Sequence, residues 1–518
     1  MQSTALQNVA LDLCEDRPLH RPLDRPLDRR RAGILLHPTS LPNGVNGAAA
    51  GLNNGDFGPD AFRFIDFLAA CGMTVWQMLP LGPTHDDGSP YQCLSVHAGS
   101  PRLISLEMLV QSGWLPQENA TSELAESALY RGARLVRAYQ GFIQYASAED
   151  HAAFKAFGAQ HHWLQDFALY TALRQEHAGR SWLDWPVLLR DRELHALEEA
   201  RKRLADVIAQ TCFEQFIFFR QWYTLKRYAN ERGILLFGDM PIFVAHDSAD
   251  VWTHRRYFKL DQAGHPRVVA GVPPDYFSAT GQRWGNPHYE WESMQADGFA
   301  WWIERMTTQF ALFDLVRIDH FRGFEACWEI PAQNPTAEGG CWIKVPGDAL
   351  FSVLRKKFDA LPLIAEDLGI ITPEVDVLRE KYHLPGMKIL QFAFEGGPTN
   401  PYLPHNHKKD SVIYTGTHDN NTTVGWFHEL SYPAQNYIME YLAKPLESMP
   451  LPLIRSALAS VACLAIIPMQ DALRLDAEHR MNMPGTSQGN WCWRYTWDQV
   501  PDDLAARLRR MVEMYGRV

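Results

Sequence analysis

The chain has no Cys-x-x-Cys pair, and its eight cysteines are scattered over 518 residues. Closely spaced cysteines build zinc sites and redox loops, so no metal centre is expected. Dispersed thiols in a chain this long fit a reduced, cytoplasmic protein. Positive charge is also short. Lys and Arg number 49 against 60 Asp and Glu, for a net charge of −11. That argues against nucleic acid or anionic membrane as a partner. Long apolar runs are missing too. The segment 458–469 is among the most apolar and is too short to span a bilayer. The first 31 residues lack the apolar core of a secretory signal and hold too many acids for an organelle transit peptide. Glycine-rich stretches such as 44–58 lack the strand–Gly-x-Gly-x-x-Gly–helix context of a nucleotide site, and no cofactor is expected.

What is present begins with a repeat. Arg17-Pro18-Leu19-His20, Arg21-Pro22-Leu23-Asp24 and Arg25-Pro26-Leu27-Asp28 recur every four residues, and Arg29-Arg30-Arg31 follow. Proline at every fourth position forbids a stable helix. Residues 1–31 therefore read as a disordered tail, and residues 32–518 as one catalytic domain. The composition, 46% hydrophobic and 21% charged, supports a large packed core. Seventeen Trp offer flat apolar faces that suit either that core or sugar rings.

Eight apolar runs read as strands. They begin at Gly33, Val75, Ile234, Leu315, Leu363, Met387, Val412 and Leu464, with helix-like stretches between most of them. Runs apolar on both faces imply a parallel sheet, and eight βα units imply a closed (β/α)8 barrel. Two stretches are too long for simple crossovers. One, at about 92–232, has helical periodicity and reads as a helical insertion; the other, at 240–310, is rich in Pro, Gly and aromatics and reads as loops over the barrel mouth. The chain ends soon after the last unit, so no C-terminal β-domain is expected.

Three of the runs end in carboxylates: Leu315-Val316-Arg317-Ile318-Asp319, Leu363-Ile364-Ala365-Glu366 and Val412-Ile413-Tyr414-Thr415-Gly416-Thr417-His418-Asp419. The C-terminal ends of barrel strands are where such folds place their chemistry. Arg317 and Asp319 share a strand face, so a guanidinium beside Asp319 would hold it ionised, as a nucleophile must be. Glu366 in a drier pocket would have a raised pKa, which suits a general acid. A pair of carboxyls with separated pKa values is what glycosidic bond cleavage requires. His320 beside Asp319 is either a substrate ligand or a packed core residue. His246, Asp247 and His254 read as a surface loop rather than a metal site.

These residues carry a resemblance. Residues 316–323, 365–369 and 415–420 are similar to signatures of the 4-α-glucanotransferases, the amylomaltases or disproportionating enzymes of glycoside hydrolase family 77 in the α-amylase superfamily. Residues 89–92, 238–245, 273–287 and 480–486 resemble that family's substrate-binding, third-strand, lid-loop and C-terminal motifs, in order. The resemblance implies a retaining transferase that moves α-1,4-glucan segments between maltooligosaccharides through a covalent glycosyl-enzyme. It implies Asp319 as nucleophile, Glu366 as general acid then base, and Asp419 as transition-state stabiliser. It implies Arg317, His418, Tyr91, Asp239, Trp284 and His320 as substrate-binding or orienting residues, with no metal and no cofactor. The implied partners are maltooligosaccharides and α-1,4-glucans, acted on by a monomer or weak homo-oligomer. Retention implies about 5–5.5 Å between the Asp319 and Glu366 carboxyls. Residues 43–56, 96–100 and 473–479 depart from the family pattern, which bears on acceptor preference. Two other readings are an α-1,4-glucan hydrolase and a catalytically silent glucan-binding regulator.

Overall fold

The computed structural model describes residues 26–42, 54–117, 128–274, 278–486 and 488–518. Most of the tail reading (1–25) and most of the departing 43–56 loop lie outside them, as do residues 275–277 of the lid-loop motif. Eight strands close into a parallel barrel. They are β1 (Arg31–Leu35), β2 (Val75–Gln77), β3 (Leu235–Pro241), β6 (Leu315–Asp319), β9 (Leu363–Ala365), β10 (Gly386–Ile389), β11 (Ser411–Tyr414) and β12 (Leu464–Pro468). Each apolar run supplies one of them, and they pair in chain order around the ring. Among the described residues no strand follows β12.

Side-chain alternation divides the strands between two cores. Leu35, Val75, Phe237, Leu315, Ile364, Met387, Val412 and Ile466 fill one core inside the barrel. Ile34, Trp76, Leu236, Val316 and Ile467 pack into the other, against the surrounding helices. A two-residue period therefore carries each strand from apolar filling to chemistry at its end. On β3 the inward series is Leu235, Phe237, Asp239; on β6 it is Leu315, Arg317, Asp319. The β3–β6 register sets Asp239 directly beside Arg317.

Order starts earlier than the tail reading expects, because Arg31 opens β1 and pairs with Leu464. Arg30 is tied down by the carbonyls of Tyr515 and Leu458, each at 2.8 Å. The 92–232 stretch contains five helices of ten residues or more: Ala128–Tyr145, Ala148–Gln160, Leu164–Glu176, Leu194–Arg203 and Ala205–Glu231. The last, 27 residues long, packs on β3 and on the helix Pro59–Ala70.

The 240–310 stretch differs from the loops expected. It holds β4 (Val268–Val272), β5 (Gln282–Pro287) and the helix Ala300–Leu312. With β7 (Ala326–Pro331) and β8 (Cys341–Lys344) the two strands form an antiparallel sheet in the order β5-β4-β7-β8. The pairing of β4 with β7 joins segments more than fifty residues apart, so local composition gives no sign of it.

Gly33 marks a tight point of the barrel. A Cβ there would meet the Val75 carbonyl and lie 2.7 Å from Val75 Cβ and 2.9 Å from Ile466 Cδ1. The carbonyl belongs to a neighbouring strand and cannot swing aside. Gly33→Ala is therefore expected to destabilise the fold by about 1–3 kcal/mol. Equilibrium denaturation would show this as a lower midpoint with an unchanged slope; an unchanged midpoint would contradict the packing described.

Candidate active site

The β3–β6 register generates the first part of the site. Arg317 Nη1 donates to both oxygens of Asp239, at 2.8 and 2.7 Å, and Arg317 Nη2 donates to Asp319 Oδ1 at 2.8 Å. Asp239 is 2% exposed, and the Asp319 carboxylate keeps 31% of its surface open at the barrel mouth. One buried cation thus holds one buried and one accessible carboxylate. Burial alone would lower the Arg317 pKa, but the charges of Asp239 and Asp319 outweigh it and the pKa lies well above the ordinary value.

Glu366 follows the last residue of β9, on the face of Ile364, and is 9% exposed. Its Oε2 accepts the His320 backbone N–H at 2.6 Å and its Oε1 accepts the Leu368 N–H at 2.8 Å. Burial pushes its pKa up to about 7, against the pull of Arg317 and with the added repulsion of Asp319. The adjacent Asp367 has a different job. It accepts Met387 N–H at 2.6 Å and lies near Arg379 and Lys388, fastening β9 to β10.

His320 reaches Glu366 because its backbone is left-handed, φ 54° and ψ 51°. A non-glycine residue adopts this at a cost, so the surroundings must hold it there. Its ring lies edge-to-face with Trp284 of β5, centroids 4.9 Å apart. Burial keeps the imidazole neutral, with a pKa lowered to about 4.

The third wall comes from loops. Asp419 lies five residues beyond the end of β11, in a turn where Asn420 Oδ1 accepts the Thr417 N–H at 2.9 Å. It is therefore not a strand-end residue in the sense that Asp319 is. Its carboxylate is half exposed, accepts from Asn482 Nδ2 at 2.6 Å and lies 3.4 Å from His418 Nε2. Loss of water contact opposes its charge, but His418, Asn482 and Arg317 together leave its pKa below the usual carboxylate range. Tyr91 closes the ring. Its hydroxyl lies 2.9 Å from Asp239 Oδ2 and 2.9 Å from His418 Nε2, and its ring stacks on His418 at 5.2 Å.

All nine residues singled out in the sequence therefore fall in one continuous cluster. Three more belong to it. Asn482 anchors Asp419, Trp491 packs 5.9 Å from Tyr91 and 6.0 Å from His418, and buried His37 lies close enough to His418 to feel its charge. Asn482 stood in a recognised motif without a role, and Trp491 and His37 have no local signal at all. A cavity of about 450 Å³ lined by His37, Ser40, Thr417, His418 and Arg480 opens beside this wall. Among the described residues, no group of three or more His, Cys, Asp or Glu side chains is placed to hold a metal ion. His246 and Asp247 serve structure, binding the Gly264 carbonyl at 2.8 Å and Arg174 at 2.6 Å.

Comparison with known proteins follows the same line. The sequence profile of the family described as 4-alpha-glucanotransferase, glycoside hydrolase family 77, matches residues 36–499. The chain is 48% identical over 503 residues to the 4-alpha-glucanotransferase of Thermus thermophilus, covering 94% of this chain and 99% of that protein. It is 42% identical over 511 residues to the chloroplastic/amyloplastic 4-alpha-glucanotransferase of Solanum tuberosum, covering 95% and 87%. Its fold superposes on the amylomaltase from Streptococcus agalactiae in complex with acarbose with a TM-score of 0.89 and 36% identity, covering 94% of this chain and all of that one. The chain belongs to the 4-alpha-glucanotransferase family, glycoside hydrolase family 77.

Proposed function

We propose that the chain is a retaining 4-α-glucanotransferase that disproportionates maltooligosaccharides, with Asp319 and Glu366 as its reacting pair. The observation that carries this reading is the pairing of Asp319 with Arg317 beside a Glu366 carboxyl whose pKa stands at about 7. One carboxylate is poised to attack and one carboxyl to donate a proton.

In the first step an Asp319 oxygen attacks the anomeric carbon while the bond to the leaving 4-oxygen breaks. Glu366 gives its proton to that oxygen. In the second step an acceptor 4-hydroxyl attacks the same carbon, its proton passes to Glu366, and the bond to Asp319 breaks. Two inversions give net retention, for which carboxyls about 5–5.5 Å apart are suited. Asp419, ionised and held by Asn482, accepts hydroxyl hydrogen bonds of the distorted ring. Tyr91, His418, His320 and Trp284 line the sugar on either side, while Arg317 orients Asp319 and is itself held by the buried Asp239. No cofactor enters this scheme. The reading is of a cytoplasmic enzyme, monomeric or weakly self-associating; among the described residues no helix is long and apolar enough to cross a membrane.

Transfer rather than hydrolysis requires that an acceptor hydroxyl meet the intermediate before water does. The β5 edge carrying Trp284 over His320 supports that requirement by covering the nucleophile's side of the cleft. Incubation with maltotriose is expected to yield glucose and a ladder of longer glucans with little gain in reducing ends. Shorter products with rising reducing ends would establish hydrolysis instead.

Asp319→Asn and Glu366→Gln are each expected to lower kcat by more than about a thousandfold with the fold intact, since each removes a group acting only in the transition state. Asp367→Asn, one residue away, should lower stability and spare kcat. Activity of either catalytic variant near that of the native chain would remove that residue from the mechanism.

The alkaline limb belongs to Glu366, which donates only in its protonated form, populated below its raised pKa of about 7. Glycosylation should therefore weaken as pH rises through 7, not as it falls. A single-turnover pH profile flat from pH 6 to 9 would exclude Glu366 as the proton donor.

A further inference from the structure

A second polar cavity, of about 490 Å³, lies between the helical insertion and the 240–310 region. None of the residues lining it is one of the nine in the cleft. Its walls include His97, Asp250, His254 and Glu304, with Trp163 and Phe167 as an apolar side.

The hydrogen bonds assign the proton of one imidazole. Thr253 Oγ1 donates its one proton to the Ala249 carbonyl at 2.7 Å, so His254 Nδ1, 2.7 Å from that oxygen, must be the donor to it. Thr308 Oγ1 lies 2.8 Å from His97 Nδ1 and 3.4 Å from the Glu304 carbonyl, a spacing that leaves either His97 nitrogen able to carry the proton. The His254 ring therefore leaves Nε2 bare, and the Nε2 atoms of His97 and His254 make no hydrogen bond among the described residues. Burial lowers the pKa of both imidazoles, so both rings are neutral at neutral pH and His254 Nε2 is an acceptor.

The acids add further acceptors. Asp250 is 4% exposed and receives the Val96 N–H on Oδ2 at 2.9 Å. The half-buried Glu304 carboxyl has no hydrogen bond among the described residues. These acceptors face the cavity and take their hydrogen bonds from whatever fills it, so an occupant that donates is favoured. Arg305 acts electrostatically on Asp250, and His162 on Glu304, which reduces the demand for a cation. The volume exceeds that of a single water many times over. A neutral molecule with several hydroxyl donors and one apolar face meets these conditions.

We propose that this cavity is an auxiliary site for free glucose, separate from the carboxylate cleft. The choice of glucose over other polyols rests on the transferase reading, in which glucose is released from maltotriose beside this site. His254 Nε2, Asp250 and Glu304 accept its hydroxyl protons, His97 Nε2 meets a further hydroxyl, and Trp163 covers a ring face. The cavity shares Ser95 and His97 with a deeper one of about 560 Å³ that reaches Tyr91 and Asp239, so bound product abuts the rear of the cleft wall.

The test is glucose binding to the full chain, followed by calorimetry and by crystals soaked in glucose. The native chain is expected to show a site in this cavity besides any in the cleft. His254→Phe and Glu304→Leu, both outside the cleft, should weaken that site by about tenfold or more, the worth of one hydrogen bond to a charged or buried partner. Transfer from maltotriose should persist in both variants. Identical glucose binding in native and variant chains, or ordered water alone in the soaked cavity, would overturn the proposal. Loss of the maltotriose ladder in the native chain would overturn the transferase reading instead. The soaked native crystal decides the matter even where a variant does not fold.

Discussion

The site depends on a guanidinium placed between two carboxylates. Arg317 sits 5% exposed, bonded on one side to Asp239 and on the other to Asp319. Taking Arg317 and Asp239 out of water is expensive, and an apolar pair of the same volume would often be as stable or more so. The arrangement therefore makes little sense as a device for stability. It makes sense as a way to aim the Asp319 oxygen, since two nitrogens of one rigid planar group fix Asp239 and Asp319 relative to each other. Tyr91 extends the constraint to His418 and so to the Asp419 wall. Removing Arg317 would leave Asp239 buried and unpaired, with effects far beyond one lost contact.

A second constraint runs through the backbone. His320 and Leu368 lend their N–H groups to the two oxygens of Glu366, while burial raises its pKa. Hydrogen bonds of this kind stabilise the carboxylate and desolvation stabilises the acid, so the group is poised between the two states it must visit. The left-handed His320 ties the residue following the nucleophile to the proton donor. Movement of the β6 end thereby moves both reacting groups together. Trp284, packed on His320 from β5, links this unit to the small antiparallel sheet.

The barrel was legible because a strand buried on both faces needs an uninterrupted apolar run, and eight such runs stand at intervals wide enough for helices. Boundaries were less legible. The run from Val75 continues to Leu81, but β2 ends at Gln77, and the run from Met387 leaves β10 after Ile389 for a helical turn. Apolarity reports burial, not hydrogen-bond pattern, and the chain stays buried after the ladder stops. The two strands of the antiparallel sheet inside the 240–310 stretch, β4 and β5, read as loops in the sequence because they are short and β4's partner β7 is distant. Asp419 was placed at a strand end because the same apolar run leads to it, although β11 stops at Tyr414.

The sequence by itself determined which residues carry charge at the ends of buried runs, and the resemblance of its motifs gave the family and the glycosidic chemistry. Side-chain period and burial are local properties, and Arg317 with Asp319 on one face follows from them. The tertiary structure alone decided that Asp239 is the partner across the register, that His320 turns left-handed to reach Glu366, and that Asn482 and His418 hold Asp419 from loops. The contacts of Arg317 with Asp239, His320 with Glu366 and Asn482 with Asp419 join positions 46 to 78 residues apart. They exist only when the barrel closes, because closure is what brings the ends of non-neighbouring segments within hydrogen-bonding distance.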